Sequence, residues 1–295
     1  MKVLAFGEIL YDVDVKADLR NIGGASLNFV AHLSKLGENC YIMSSVGDDE
    51  LGKEAMACME KFGLNTKYVD INREYQTGQA LVTYENGEPS YDLSMISAYD
   101  NIKASKSTLD DIKNEKFDVL YYGTLAQRNE CSKTALANMI EQVDFDVIFY
   151  DVNLRQTYYT KDIIESGMKN ANIVKVNRDE LKFIMDMECL RIDDYKALCQ
   201  KFDIEYLIVT KDKDGAEAYE LKKDKLYVAG QQKGTLISAV GAGDSFSACF
   251  VHNLFNGVDI ETCLNRANIL GAYVIGQKAA VPDYPPELLE KISAI

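Results

Sequence analysis

The residues best suited to do chemistry lie near the C-terminus, in Val240-Gly241-Ala242-Gly243-Asp244-Ser245-Phe246. From Asp244 onward, Phe246, Phe250 and Leu254 form an apolar stripe closed by Gly257, which predicts a helix. Gly241, Ala242 and Gly243 then stand at its N-terminus with little side-chain bulk. Unpaired N–H groups and the positive end of the helix make an anion site there. Such a site suits the charge that develops on a phosphoryl group in transfer. Asp244, in the first turn, holds a carboxylate beside that site, where it can accept a hydroxyl proton. For an isolated G-A-G-D, a helix cap after a Gly-rich turn is the alternative reading. The segment is not a Walker A loop, because G-x-x-x-x-G-K-[ST] occurs nowhere in the chain. Nor is it a dinucleotide fingerprint, since it lacks the third glycine and lies late in the sequence.

Such groups need a scaffold, and the sequence alternates short apolar runs with helical patterns. The runs are Val3–Phe6, Val119–Tyr122, Val147–Tyr150, Ile173–Val176 and Tyr206–Val209. Each is apolar on both faces, as central parallel strands are. Between them, Leu27, Val30, Leu33 and Leu36 form a stripe ending at Gly37, and further helices are predicted near 51–62, 132–143, 179–187 and 193–202. This alternation implies an α/β fold, a parallel sheet covered by helices on both faces. Thr77–Tyr84 and Ser90–Ile96 break the rhythm around Asn86-Gly87, a strong hairpin signal. With Tyr11-Asp12-Val13-Asp14-Val15 they read as a small projecting β-sheet from about 11–18 and 75–100, or else as an edge hairpin of the main sheet. A projecting sheet would serve as a lid that excludes water. With neither repeat nor linker, residues 1–295 read as one domain carrying this sheet. Gly7-Glu8, Gly123-Thr124, Asp151, Asn153, Arg155, Asn177 and Thr210-Lys211 follow the successive runs. Polar residues thus collect at the carboxyl ends of the strands, where open parallel sheets bind ligands.

Composition narrows the function classes. Lys and Arg number 32 against 46 Asp and Glu, a net charge of −14, which disfavours nucleic acid and anionic membranes as partners. No apolar run approaches the length of a membrane span. Met1–Phe6 is too short for a signal peptide and reads as the first strand. Seven cysteines, an odd number without a C-x-x-C pair, suggest free thiols in a reducing compartment and a cytoplasmic location. His32 and His252 are the only histidines, which argues against a His-rich metal site or a His-based triad.

Gly23-Gly24-Ala25-Ser26-Leu27-Asn28, with Gly37 and Gly47-Asp48-Asp49 after it, resembles the first signature of the ribokinase-like (PfkB) carbohydrate kinases. G-A-G-D is the core of their second signature. The order also matches, from G-E-x-L-x-D at Gly7 through G-G-x-x-x-N and N-x-x-E to G-A-G-D, and the resemblance spans about Val3 to Pro282. It implies a three-layer α/β/α sandwich with a mostly parallel sheet and a β-sheet lid. It further implies an enzyme that transfers phosphate from ATP to a small sugar. In that family's terms Asp244 would be the base, and the amides of Gly241, Ala242, Gly243 and Asp244 the anion hole. Asp12, Gly23, Gly24 and Asn28 would bind sugar hydroxyls, for which paired donors and acceptors are suited. Asn177-Arg178-Asp179-Glu180 resembles the N-x-x-E element that acts on Mg²⁺ and phosphate, with Glu180 reaching the ion through water. Taken without the family, Asn177 and Glu180 form a helix capping box. Thr210, Lys211, Gly215 and Asn268 would lie on the ATP side.

Gly7–Asp12, Gly123–Arg128 and Asp151-Val152-Asn153-Leu154-Arg155 resemble the fructokinase subgroup. The D-x-N-x-R element also resembles ketodeoxygluconate kinases, with Arg155 steadying a phosphate or a substrate oxygen, or merely pairing at the surface. A sugar-acid acceptor would need a cation such as Arg155 or Arg128. A nucleoside acceptor would use an aromatic partner such as Tyr84, Tyr91 or Tyr99. A non-catalytic sugar- or nucleotide-binding regulator is the alternative from another class, and the retention of Asp244 and Glu180 counts against it. Ser238 stands where an aspartate helps hold a monovalent cation in ribokinase-like members, which puts potassium activation in doubt. Leu81, Leu93 and Met95, read as exposed on the lid, suggest a homodimer formed through it.

Overall fold

The computed structural model describes residues 1–14, 19–85, 88–93, 95–230, 232 and 234–293. Its strands are β1 (Lys2–Phe6), β2 (Leu10–Asp14), β3 (Leu19–Gly23), β4 (Asn39–Gly47), β5 (Val69–Asn72), β6 (Gly78–Glu85) and β7 (Glu88–Asp92). They continue with β8 (Val119–Gly123), β9 (Val147–Asp151), β10 (Ile173–Asn177), β11 (Tyr206–Thr210), β12 (Ala216–Glu220) and β13 (Lys225–Ala229). The helices are α1 (Ala25–Lys35), α2 (Glu50–Lys61), α3 (Lys106–Glu115), α4 (Glu130–Gln142) and α5 (Lys161–Lys169). After them come α6 (Arg178–Met187), α7 (Tyr195–Phe202), α8 (Ala242–Phe255), α9 (Ile260–Val274) and α10 (Pro286–Ser293).

The main sheet runs β13-β12-β11-β10-β9-β8-β1-β4-β5, parallel except for the antiparallel pairings of β12 and β13 at one edge. Successive side chains alternate between its faces. Val3, Ala5, Tyr121, Phe149 and Ile173 pack with Leu27 and Val30 of α1, Phe250 of α8 and Leu264 of α9. Leu4, Phe6, Tyr122, Tyr150 and Val174 pack with Ile112 of α3, Met139 of α4, Ile164 of α5 and Ile184 of α6. Two apolar layers therefore enclose the sheet in an α/β/α sandwich, as the sequence predicts. The five apolar runs are β1, β8, β9, β10 and β11, each within one residue of its expected bounds. The chain around Asn39–Gly47, not anticipated, supplies the long strand β4 beside β1. No helix of the described residues is long and apolar enough to cross a membrane.

A second sheet, separate from the first, has the order β3-β2-β6-β7. β2 joins β6 in parallel and β3 antiparallel. The β6–β7 pairing ends at Glu85 opposite Glu88, so the Asn86-Gly87 turn lies outside the described residues. Residues 15–18 and the side chains of Tyr84 and Tyr91 lie outside them too. β3 is an addition to the sequence reading, which takes Gly23-Gly24 only as the approach to a helix. Leu19, Arg20 and Asn21 are exposed and lack an apolar alternation.

Hydrogen bonds knit this sheet to the sandwich at two points. Asp49 caps α2 through the Gly52 amide at 2.7 Å and also accepts from the Thr77 amide at 2.8 Å and the Thr77 hydroxyl at 2.7 Å. That fixes the chain immediately before β6. At the far end of the hairpin, Arg128 pairs with both carboxylate oxygens of Asp100, each at 2.7 Å. It also donates to the carbonyls of Leu93 and Met95 at 2.5 and 2.8 Å. The Tyr99 and Tyr158 rings flank its guanidinium. Leu93, expected on an exposed face, is only 5% exposed and packs with Leu10, Ala80 and Leu125. Tyr99 is buried beneath Gly78, where a side chain would meet its ring, so it is not an open stacking platform.

Removing one partner of a buried, bidentate pair leaves a charge without compensation. Arg128→Ala is therefore expected to lower the unfolding free energy by about 3 kcal/mol, read as an earlier urea transition. A surface-like change below about 0.5 kcal/mol would show that the clamp is not formed in solution.

Candidate active site

The G-A-G-D segment forms the start of α8, as its apolar stripe predicts. Gly241 is the N-cap, with φ +82°, and a Cβ there would lie 2.5 Å from the Ala280 carbonyl oxygen. Both the left-handed backbone and the close approach require glycine. His32 of α1 lies behind the turn, against the backbone of Gly241 and Ala280, and contacts the Tyr284 hydroxyl. Burial lowers its imidazole to about 3, so the ring is neutral. Ahead of the turn, the amides of Ile237 and Ser238 both donate to the Ile275 carbonyl, at 2.7 and 3.1 Å. The Ser238 hydroxyl accepts from the Val240 amide at 3.3 Å.

Asp244 is the third residue of α8, where the helix end favours a negative charge. Asn28 of α1 donates to its Oδ2 at 2.8 Å. Burial pushes the Asp244 carboxyl up to about 6; Asp151 adds to this, while Asn28, Lys175 and Arg155 pull it back. At neutral pH it is thus largely a carboxylate, close enough to its titration range to take a proton and release it.

The other residues singled out in the N-terminal motifs gather nearby. Gly23 is the register partner of Leu10, and a Cβ on it would lie 3.9 Å from Asp12 Oδ2. Gly24 has φ +110°, and a Cβ there would lie 2.4 Å from the Glu8 carbonyl oxygen. Asp12 is raised by burial and lowered by Arg155. Arg155 is exposed, and its charge acts on Asp12, Glu8 and Asp244 together. Asp12, Gly23, Gly24, Asn28, Arg155 and Asp244 thus surround one region between the small sheet and the start of α8.

A second group lies at the ends of β10 to β13. Asn177 caps α6: its side chain accepts from the Glu180 amide at 2.9 Å, and Glu180 Oε2 accepts from the Asn177 amide at 2.8 Å. Glu180 Oε1 accepts from the Leu154 amide at 2.8 Å, tying this cap to the D-x-N-x-R segment. Burial raises the Glu180 carboxyl and Lys175 pulls it back. Thr210 is the register partner of Asn177. Lys211 pairs with Glu217, and Gly215, with φ +88°, turns the chain against the Ala229 carbonyl. Asn268 donates to the carbonyls of Ala229 and Gly230 at 3.3 and 3.2 Å, fixing the end of β13.

Among the described residues no three His, Cys, Asp or Glu side chains cluster as a metal site. Both Glu180 oxygens already accept backbone amides. This donor set fits a hard ion carried on phosphate oxygens and reached through water, as Mg²⁺ is usually held.

Sequence reasoning names Asp151 only as a polar strand end within D-x-N-x-R and misses its buried partner beneath the turn, Lys175. Lys175 and Asp151 are register partners on β10 and β9, with Lys175 Nζ at 3.0 and 2.9 Å from the two carboxylate oxygens. The signal was present: a lysine inside an otherwise apolar central run requires a partner. In the sequence Glu8 stands out only as part of a motif. Its Oε1 accepts from the Ala25 amide at 2.9 Å, its Oε2 is buried without a partner, and burial pushes it up to about 7.

The family described as pfkB family carbohydrate kinase matches residues 2–286. Probable fructokinase-5 of Arabidopsis thaliana is 30% identical over 312 residues, covering 96% of this chain and 94% of that protein. A fructokinase of Vibrio cholerae O395, solved with fructose, ADP and calcium, superposes with TM-score 0.83 at 19% identity, covering 99% of each chain. A 2-dehydro-3-deoxygluconokinase of Thermotoga maritima superposes with TM-score 0.82 at 16% identity, over 99% of this chain and 98% of that one.

The Asn28 contact has a consequence independent of turnover. In Asn28→Ala the Asp244 carboxyl is expected to titrate above its value of about 6, because a hydrogen bond to the charged form is lost. Carboxyl ¹³C NMR, with Asp244→Asn to assign the signal, reads this directly. An unmoved titration would mean that the bond does not hold the charged form.

Proposed function

From the premise that the chain belongs to the pfkB family of carbohydrate kinases, we propose that it is a fructokinase in which Asp244 is the general base. The observation that carries the base assignment is the pairing of Asn28 with Asp244 at the start of α8, 2.8 Å apart. It sets a carboxylate that titrates at about 6 beside the amides of a helix N-terminus. Fructose as acceptor is supported by the fructokinase-5 relative at 30% identity. Among the cations considered for a sugar-acid acceptor, Arg128 is fully committed to Asp100 and two carbonyls. Arg155 is the other, so the ketodeoxygluconate alternative rests on it.

In this reading Asp12, the backbone at Gly23 and Gly24, and Asn28 orient the sugar so that one hydroxyl meets Asp244. Asp244 takes the hydroxyl proton as that oxygen attacks the γ-phosphorus of ATP; the bond from phosphorus to the bridging oxygen breaks, and ADP leaves. The amides of Gly241 to Asp244 stabilise the charge on the transferring group. A divalent ion such as Mg²⁺ supplies charge neutralisation of the nucleotide phosphates, and Asn177 and Glu180 stand where they would order its water shell. Thr210, Lys211, Gly215 and Asn268 shape the nucleotide side. The small sheet closes over the sugar as a lid, excluding water that would otherwise compete for the phosphoryl group. Two copies meet through it, a feature supported by the exposed apolar Leu19, Met95 and Ile96 on and beside the sheet.

An ADP-release assay with ATP and Mg²⁺ against fructose, glucose, ribose, ketodeoxygluconate and adenosine is the direct test. Fructose is expected to give the highest kcat/KM; preference for ketodeoxygluconate would assign Arg155 to a carboxylate instead. Asp244→Asn is expected to retain ATP and sugar binding while kcat falls by about 10² or more. Near-normal turnover in that variant would sink the mechanism. The sign of the pH effect follows from the base needing to be ionised. kcat/KM should fall as pH drops through about 6 and not as pH rises from 7 to 8.

A further inference from the structure

The mechanism above leaves unused the most deeply buried cation of the site. Lys175 is 7% exposed and Asp151 1% exposed, yet they form an ion pair inside the apolar face that packs against α1 and α8. Burial opposes the ammonium, but Asp151 and Glu180 hold its pKa above the ordinary lysine value. Around the carboxylate, the Tyr121 hydroxyl donates to Asp151 Oδ2 at 3.2 Å. The Ser247 hydroxyl of α8 lies within bonding distance of both that oxygen and the Gly243 carbonyl, at 3.3 and 3.0 Å. A buried ion pair is seldom a stability device, since apolar residues of similar volume do as well or better. Its position offers a different explanation. Lys175 Nζ lies 3.3 Å from where a Cβ on Gly243 would stand, one residue ahead of Asp244. An ammonium has three donors, and among the described residues Lys175 donates to the two Asp151 oxygens.

We infer that Lys175, steadied by Asp151, is a positioning residue for phosphoryl transfer: it seats the first turn of α8 through Gly243 and balances the charge around Asp244. This rests on the reading of Asp244 as the base. The groups that face Asp244 are Asn28 from α1, Glu8 from the β1–β2 connection, Tyr121 from β8, Asp151 from β9, Lys175 from β10 and Arg155 after β9. Asp151 and Lys175 act on it in opposite directions. With both in place their effects oppose each other, and removing either one leaves the other unopposed.

The test compares Lys175→Met, Lys175→Arg, Asp151→Asn and the double variant Asp151→Asn/Lys175→Met. It reads the acidic limb of kcat/KM for the sugar and, without substrates, the Asp244 carboxyl titration by ¹³C NMR. Lys175→Met is expected to move the limb up by about one pH unit, which at pH 6 is a loss of about fivefold. Asp151→Asn moves it down, while Lys175→Arg and the double variant stay near the wild type. A limb and a titration unmoved in Lys175→Met would overturn the inference, leaving the pair a structural one. Should Lys175→Met not fold, the downward displacement in Asp151→Asn decides, and its absence overturns the inference equally. The two readouts separate the failures. Titrations that move as stated in a protein that phosphorylates none of the sugars would sink the functional reading alone. Turnover with unmoved titrations would sink only the role of Lys175.

Discussion

A carboxylate that accepts a proton from a sugar hydroxyl has to be withdrawn from water without losing its charge. Burial alone drives an aspartate towards the neutral acid. Asp244 escapes that outcome through several elements at once. The start of α8 contributes its positive end, α1 contributes Asn28, and β10 and the chain after β9 contribute Lys175 and Arg155. No single element offers all of these. They meet because α1 and α8 lie side by side on one face of the sheet, over β8 and β9, with Phe29 stacked on Tyr121 at 3.9 Å between ring centres. The packing that stabilises this face is the same packing that sets the protonation of Asp244.

How far the sequence reveals this arrangement depends on the range of the interaction. The central strands are legible because both faces are buried, so Val3–Phe6 or Tyr206–Val209 is apolar without interruption. The start of α8 is legible because Gly241 and the stripe from Phe246 are local features. Strand β3 is not, since its exposed Leu19-Arg20-Asn21 forms a strand only by pairing with β2. The Arg128–Asp100 clamp and the Lys175–Asp151 pair are hidden for a related reason. Each joins residues whose proximity follows from how segments dock, in the second case from the register of β9 against β10. Asn177 and Glu180 show a subtler limit. The capping box is plain in the sequence, whereas the third bond, to the Leu154 amide, needs the neighbouring strand end in place.

The acceptor is less legible than the chemistry for a physical reason. A fructokinase and a 2-dehydro-3-deoxygluconokinase superpose on this chain almost equally well, with TM-scores of 0.83 and 0.82. What they share is the sandwich that places strand ends and helix starts. Discrimination between sugars comes from a few polar groups at the rim, since an unpaired buried donor or charge penalises the wrong ligand far more than a small misfit does. On the proposed reading that rim would include Asp12 on β2, the backbone of Gly23 and Gly24, and Arg155. With Arg128 locked into the clamp, a carboxylate on the acceptor would have to be met by Arg155, whose charge already acts on Asp12, Glu8 and Asp244.

On the proposed reading, the same balance accounts for an anion site made of backbone amides. Within the site the acidic side chains Glu8, Asp12, Asp151, Glu180 and Asp244 face two cations, Lys175 and Arg155. Another lysine or arginine at the turn would attract phosphate, but it would also hold Asp244 more firmly in its charged form and weaken it as a base. Amide dipoles at the start of α8 stabilise charge on the transferring group without adding a full positive charge beside the carboxylate. Gly241 makes that possible through its left-handed backbone, and Gly243 leaves room for Lys175 beneath the turn. The lysine is paired with Asp151 from below, and the carboxylate opposes its effect on Asp244. On that reading an acidic chain would accommodate a polyanionic nucleotide by orienting dipoles and pairing its charges, and a divalent ion on the nucleotide would balance phosphate charge.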